Sequence, residues 1–185
     1  MAVRDIVQLG DPRLRETAAV VKDPTLPSLA SLVEDLRDTL AHSRLTTGYG
    51  RGIAAPQLGV AKRVIFVQLP GKPPLPMINP EIIARSVEKI VVWDACLSFL
   101  CIFMQVERHR AITARYQDLC GTVHVIEADE RDDLSELLQH EIDHLDGILC
   151  LDRVSDLRTV CSKQEFEKRY RAQSPYAQTG EAGRA

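Results

Sequence analysis

Five consecutive residues, His140, Glu141, Ile142, Asp143 and His144, carry the clearest chemistry in the chain. On an α-helix, positions four apart lie one turn apart on the same face. Both imidazoles can therefore reach one cation at the roughly 2.0–2.1 Å of a metal–imidazole bond. A carboxylate directly after the first histidine can take a proton from water activated by that ion without ligating it. This is the general-base arrangement of metal-dependent hydrolases, and a structural metal site has no need of it. A catalytic ion usually has three protein ligands and one open position, so His140 and His144 leave it short. Asp146 follows too soon to curl back onto the ion. His42, His109 and His124 are scattered, and each reads as a surface or half-buried residue. A thiolate is the other candidate.

The chain has five cysteines, at 96, 101, 120, 150 and 161. The number is odd and no tight paired spacing suggests a disulfide framework. Reduced thiols in a cytosolic protein are expected, and any one of them is by default a small buried hydrophobe.

The elements that must position these groups can be read from spacing. Residues 133–146 predict a helix: Asp133 can cap it, Glu136 completes a capping box, and Gly147 suits a left-handed stop. Leu134, Leu137, Leu138, Ile142 and Leu145 form its apolar side. A second helix is predicted over 28–44, with Ser28 as N-cap and Leu29, Leu32, Val33, Leu36 and Leu40 along one stripe. Strands are predicted over 63–69, 77–79, 81–85, 87–93, 111–116 and 122–128. Asp118-Leu119-Cys120-Gly121 reads as the turn of a hairpin. Residues 10–27, 47–52 and 70–76 read as loops. A last helix is predicted over 162–172, and the small, polar residues 173–185 are expected to be a disordered tail. Strands followed by a late helix point to one α+β domain over 1–172.

Bulk properties exclude several classes. The net charge is −3, and no basic patch with interleaved aromatics marks a nucleic-acid surface. No stretch approaches the roughly 20 apolar residues of a membrane span, and the N-terminus lacks the apolar core of a signal peptide. A cytoplasmic location is the expectation.

Three blocks together resemble the peptide deformylase family: G-R-G-I-A-A-P-Q at 50–57, D-A-C-L-S at 94–98 and Q-H-E-I-D-H-L-D-G at 139–147. The resemblance spans most of residues 1–160. It implies the deformylase α+β fold, with antiparallel sheets around a central HExxH helix. It implies hydrolysis of the N-formyl group of formylmethionyl peptides, with proximity to the ribosome. Cys96 would be the third ligand beside His140 and His144. The ion would be Fe(II), with Zn, Ni or Co also accepted. Glu141 would move the proton, and Gln57 and the Leu97 N–H would bind the formyl oxygen. Gly52 would allow close backbone approach to substrate. Ile53, Ala95, Phe99 and Arg108 would contribute to substrate binding.

The second block departs from the family pattern Glu-Gly-Cys-Leu-Ser. Asp94 replaces Glu, Ala95 replaces Gly, and Phe99-Leu100-Cys101 stands where Val-Pro-Gly is common. Phe103 and Met104 replace a frequent Arg-Gly pair. If 97–104 lines the substrate mouth, these bulky residues narrow or reshape it, and Cys101 becomes a candidate for alternative ligation. Three readings stand: a deformylase with a drifted pocket, a related enzyme for a small formamide, and an inactive metal-binding relative. The intact Glu141 argues against the last. From other classes, a metallopeptidase would need neither Cys96 nor the 50–57 loop, and a structural metal protein would close the site with a fourth ligand.

Overall fold

A computed structural model describes residues 2–177. In chain order the helices and strands are α1 (Pro27–Thr47), β1 (Gly52–Ala54), β2 (Val64–Val67), β3 (Leu75–Arg85), β4 (Lys89–Asp94), β5 (Ile102–His109), β6 (Ala111–Gln117), β7 (Val123–Asp129), α2 (Ser135–Leu145), β8 (Cys161–Ser162) and α3 (Lys163–Arg169). Among the described residues, one antiparallel sheet runs in the order β1-β2-β3-β6-β7 and a second in the order β4-β5-β8.

The predicted elements are present with shifted ends. α1 begins at Pro27, not behind a Ser28 cap, because proline's fixed φ and missing N–H suit the first turn. It runs on to Thr47, into the predicted loop, and stops where Gly48 adopts φ 77°. Its apolar stripe packs on Ile53, Val64, Phe66 and Ile78 of the larger sheet. The segments predicted over 77–79 and 81–85 are one strand. Register shifts against β6 accommodate Pro80, and Asn79, at φ 51°, turns its side-chain amide onto the Val21 backbone at 2.8 and 2.9 Å. The 118–121 hairpin turn forms as predicted, with the Asp118 carboxylate accepting from the Cys120 and Thr122 amides.

α2 is the organising element, and every residue in it is buried. Leu137, Leu138, Ile142 and Leu145 pack on Ile65, Val67, Met77 and Ile112 of the larger sheet. The polar side of the helix must then be satisfied by protein groups or by a ligand, because an unpaired buried polar group costs kilocalories. The predicted capping box does not form. Asp133 takes a left-handed conformation one residue before Leu134, and Glu136 turns inward to Arg51. A tertiary ion pair thus overrides the local cap. Gln139 instead ties the helix to the end of β5, bonding the His109 N–H at 3.0 Å and carbonyl at 2.9 Å. Gly147 ends this region at φ 71°, and a side chain there would collide with the Arg15 backbone.

α3 is capped by Ser162 and is shorter than predicted, giving way to a helical turn at Arg171–Gln173. Of the tail expected to be disordered, residues 173–177 are described, and within them Tyr176 is only 6 % exposed while Gln173 and Ala177 are exposed. The rest of the expected tail lies outside the described residues. Among the described residues, no helix is long and apolar enough to cross a membrane.

Candidate metal centre and active site

Cys96 lies just beyond β4, at the entry to a helical turn over Leu97–Phe99. α2 brings His140 and His144 against it. The candidate ligand atoms of the three lie within 4.8 Å of one another, with Cys96 Sγ 3.2 Å from His144 Nε2. Thiolate and imidazole bonded to one ion at tetrahedral angles would stand about 3.5 Å apart. All three residues are buried, and the set of one soft sulfur and two nitrogens suits Fe(II) or Zn. The residues therefore fit a divalent ion.

A second layer of charge orients this set. Asp94 Oδ1 lies 2.9 Å from His140 Nδ1, leaving the other ring nitrogen for the ion. Burial alone would lower the His140 pKa, but Asp94 raises it well above the usual imidazole range, as a more basic ligand requires. Burial and the neighbouring His140 hold His144 well below that range, in the neutral form that ligates. Burial pushes the Asp94 carboxyl up, yet His140 and Arg108 outweigh it and keep it ionised. Arg108, reaching in from β5, bonds Asp94 at 3.0 Å and Asp143 at 2.5 Å. Arg153 adds a bond to Asp143 at 2.7 Å.

Asp94, His140 and Cys150 also cluster. There the Asp94 carboxylate is already engaged by Arg108 and His140. Burial, then Asp94 itself, pushes the Cys150 thiol well above its usual pKa, so this trio is the poorer metal site.

Glu141 stands beside the ligands with its Oε2 buried and without a hydrogen-bond partner. Burial pushes its carboxyl up to about 7, against the opposing pull of His140. That is the range in which a carboxylate exchanges a proton efficiently near neutral pH. Gly52 makes room for it: a Cβ there would fall 2.8 Å from Glu141 Cδ. Gln57 lies in a helical turn over Ala55–Leu58. Its Oε1 accepts from the Ala54 N–H at 2.9 Å, which aims Nε2 at Cys96 Sγ, 3.4 Å away. Leu97 opens the next helical turn, so its N–H has no partner within that turn. One donor, Gln57 Nε2, thus faces the Cys96 sulfur, and the Leu97 N–H follows directly in the chain.

The profile of the polypeptide deformylase family matches residues 3–160. The chain belongs to that family. It is 42 % identical over 159 residues to the peptide deformylase of Desulforudis audaxviator, covering 85 % of this chain and 97 % of that one. It is 38 % identical over 175 residues to that of Bartonella tribocorum, covering 91 % and 94 %. The crystal structure of the Thermotoga maritima peptide deformylase superposes with a TM-score of 0.77 at 34 % identity, over 84 % of this chain and all of that one. The Ehrlichia chaffeensis peptide deformylase in complex with actinonin gives 0.78 at 31 % identity, over 92 % and 99 %. The family consists of metal-dependent hydrolases that remove the N-formyl group from nascent peptides, and the fold seen here is the deformylase α+β fold.

Among the residues the deformylase resemblance singled out, Gly52, Gln57, Ala95, Leu97, His140 and Glu141 border one cavity. Three suggested substrate contacts fall elsewhere. Ile53 is fully buried in the core beneath α1, Phe99 packs with Met104 and Leu149, and Arg108 is consumed by its two aspartates. Phe103 and Met104 are fully buried in the core and do not line a mouth; of the divergent stretch beyond Leu97, Leu100 borders the cavity. Cys101 is exposed, away from any role as a ligand. Sequence reasoning missed Arg51, Glu136, Tyr49 and Tyr176, which also line the cavity. Arg51 and Glu136 form a buried ion pair at 2.6 Å. The charged residue between two glycines at 50–52 was the available signal for Arg51.

Proposed function

We propose that this chain hydrolyses the N-formyl group of formylated peptides, releasing formate and a free amino terminus, with Cys96, His140 and His144 holding a divalent ion. One observation carries this reading: a thiol and two imidazoles converge in a buried site that also contains an unpartnered carboxylate, Glu141, and a donor, Gln57 Nε2. Fe(II) is the ion we assign in the cell, and Zn or Ni suits the same donors. When bound, the ion polarises the formyl carbonyl and acidifies water.

Glu141 accepts the proton lost by the attacking water. As the C–N bond breaks, it passes that proton to the leaving nitrogen. Gln57 Nε2 and the Leu97 N–H donate to the formyl oxygen as it gains charge, each contributing about 3–4 kcal/mol. Asp94 keeps the His140 ring in the orientation the ion needs. Gly52 keeps β1 clear of the Glu141 carboxylate. The substrate class places the reaction in the cytoplasm, where formylated chains leave the ribosome.

The test is formate release from formyl-Met-Ala-Ser by the iron-loaded protein under anaerobic conditions. Release of formate with the internal peptide bonds intact is expected. Cleavage of those bonds would instead establish a metallopeptidase.

A further inference from the structure

Beyond α3 the chain turns back onto the catalytic cavity. Tyr170 stacks on Trp93 with ring centroids 4.6 Å apart. The turn at Arg171–Gln173 then reverses direction, and Tyr176 enters an aromatic nest of Tyr49, Phe103 and Phe166. The Arg51 guanidinium lies 4.6 Å from the centroid of the Tyr176 ring. The phenol hydroxyl accepts from the Ala95 N–H at 3.1 Å and lies 3.5 Å from the Ala95 carbonyl oxygen.

Ala95 stands between the last paired residue of β4, Asp94, and the ligand Cys96. Its N–H and C=O are therefore left out of the β4–β5 pairing, and both lie within reach of the Tyr176 hydroxyl. A backbone donor and acceptor left unpaired on one residue at the end of a strand are what the amide of an extended ligand pairs with. A phenol, which can both donate and accept, satisfies the same two groups. With the ring seated, the free volume of the cavity is about 30 Å³. That is room for one or two waters and not for a methionine side chain.

We propose that Tyr176 is a specificity-determining residue: it occupies the subsite beside Cys96 that the first residue of a formyl-peptide would need. With the ring seated the cavity admits only small formamides, and the extended formyl-peptide binds by displacing residues 170–176. This rests on the formamide-hydrolase reading of the same site. The buried Arg51–Glu136 pair, which also lines the cavity, makes the vacated space polar.

The experiment uses the full, iron-loaded chain as wild type, Tyr176→Phe and Tyr176→Ala, with formyl-Met-Ala-Ser and N-formylglycine as substrates. Loss of a competing hydrogen bond and ring contact should lower KM for the peptide about tenfold in Tyr176→Ala, with Tyr176→Phe in between. The preference for peptide over N-formylglycine should rise by a similar factor. A peptide KM that is unchanged or raised in Tyr176→Ala overturns the proposal. Trp93 is the chain's single tryptophan, and its stacking on Tyr170 gives a readout independent of turnover. Titration with the unformylated peptide Met-Ala-Ser should shift its emission and give about tenfold tighter binding to Tyr176→Ala. Equal affinity for wild type and Tyr176→Ala also overturns the proposal. Absence of formate from every variant and both substrates defeats the hydrolase reading instead, and the titration then still decides whether Tyr176 competes for the subsite.

Discussion

At the scale of single residues the site divides its tasks cleanly. Glu141 ligates nothing, so Glu141→Gln should keep the bound metal while kcat falls about 10²–10⁴-fold, the usual contribution of a positioned acid–base group. Metal analysis beside a formate assay checks both halves, and a variant of near-normal turnover would reject the role. Gly52 acts through space: Gly52→Ala drives a methyl into the Glu141 carboxylate. A displacement of about 1 Å at the base should cost about 10²-fold in kcat, with metal content unchanged. Asp94 acts through His140 and Arg108. Asp94→Asn should weaken metal binding about 10–100-fold, and Asp94→Glu, which keeps the charge, should recover most of it. Competition with a chromogenic chelator measures the difference; equal losses in the two variants would show that the carboxylate charge is not what orients His140.

At the scale of elements, the weight falls on α2. An 11-residue helix buried all round has no solvent to satisfy its polar side. It is held by Gln139 to the end of β5, by Arg108 and Arg153 to Asp143, and by Arg51 to Glu136. Gln139→Ala would leave the His109 N–H without its side-chain acceptor, while the His109 carbonyl keeps the Ser135 hydroxyl, and should destabilise the fold by about 1–3 kcal/mol, read as a shift in urea midpoint at constant slope. Much of this element was legible in the sequence, because the HExxH spacing, the leucine stripe and Gly147 are all local signals. Its N-terminal cap was misread for a physical reason: Glu136 has a stronger partner 85 residues away. β5 was obscured in a similar way. Phe103 and Met104 are adjacent yet both fully buried, since one faces the aromatic nest and the other the cluster around Cys96. At its start, where both faces are covered, polar and apolar residues do not alternate, and the buried Arg108 breaks the apolar pattern near its end.

At the scale of the whole molecule, the candidate metal centre lies between the two sheets. Cys96 follows β4 of the smaller sheet, and the histidines ride on the helix packed against the larger one. Removing the ion should therefore loosen the entire domain. At free metal a hundredfold above Kd, binding stabilises the native state by about 2.7 kcal/mol, or about 5–10 °C in Tm for a domain of this size. Chelation should lower Tm by that amount and re-addition of metal should restore it; calorimetry of the two forms is the check. The global fold, and the convergence of Cys96, His140 and His144, could be anticipated because three short motifs fix them. The Arg51–Glu136 pair and the return of Tyr176 could not, because they join distant segments, one of which reads as a polar tail.

The proposed chemistry depends on one sulfur and two imidazole nitrogens of this chain holding the ion. X-ray absorption at the iron edge of the loaded protein, compared with Cys96→Ala, tests it directly. One sulfur is expected among the nearest neighbours of the metal in the wild type, alongside nitrogen and oxygen scatterers, and no sulfur in the variant. A first shell without sulfur in the wild type, or an unchanged spectrum in Cys96→Ala, would contradict it.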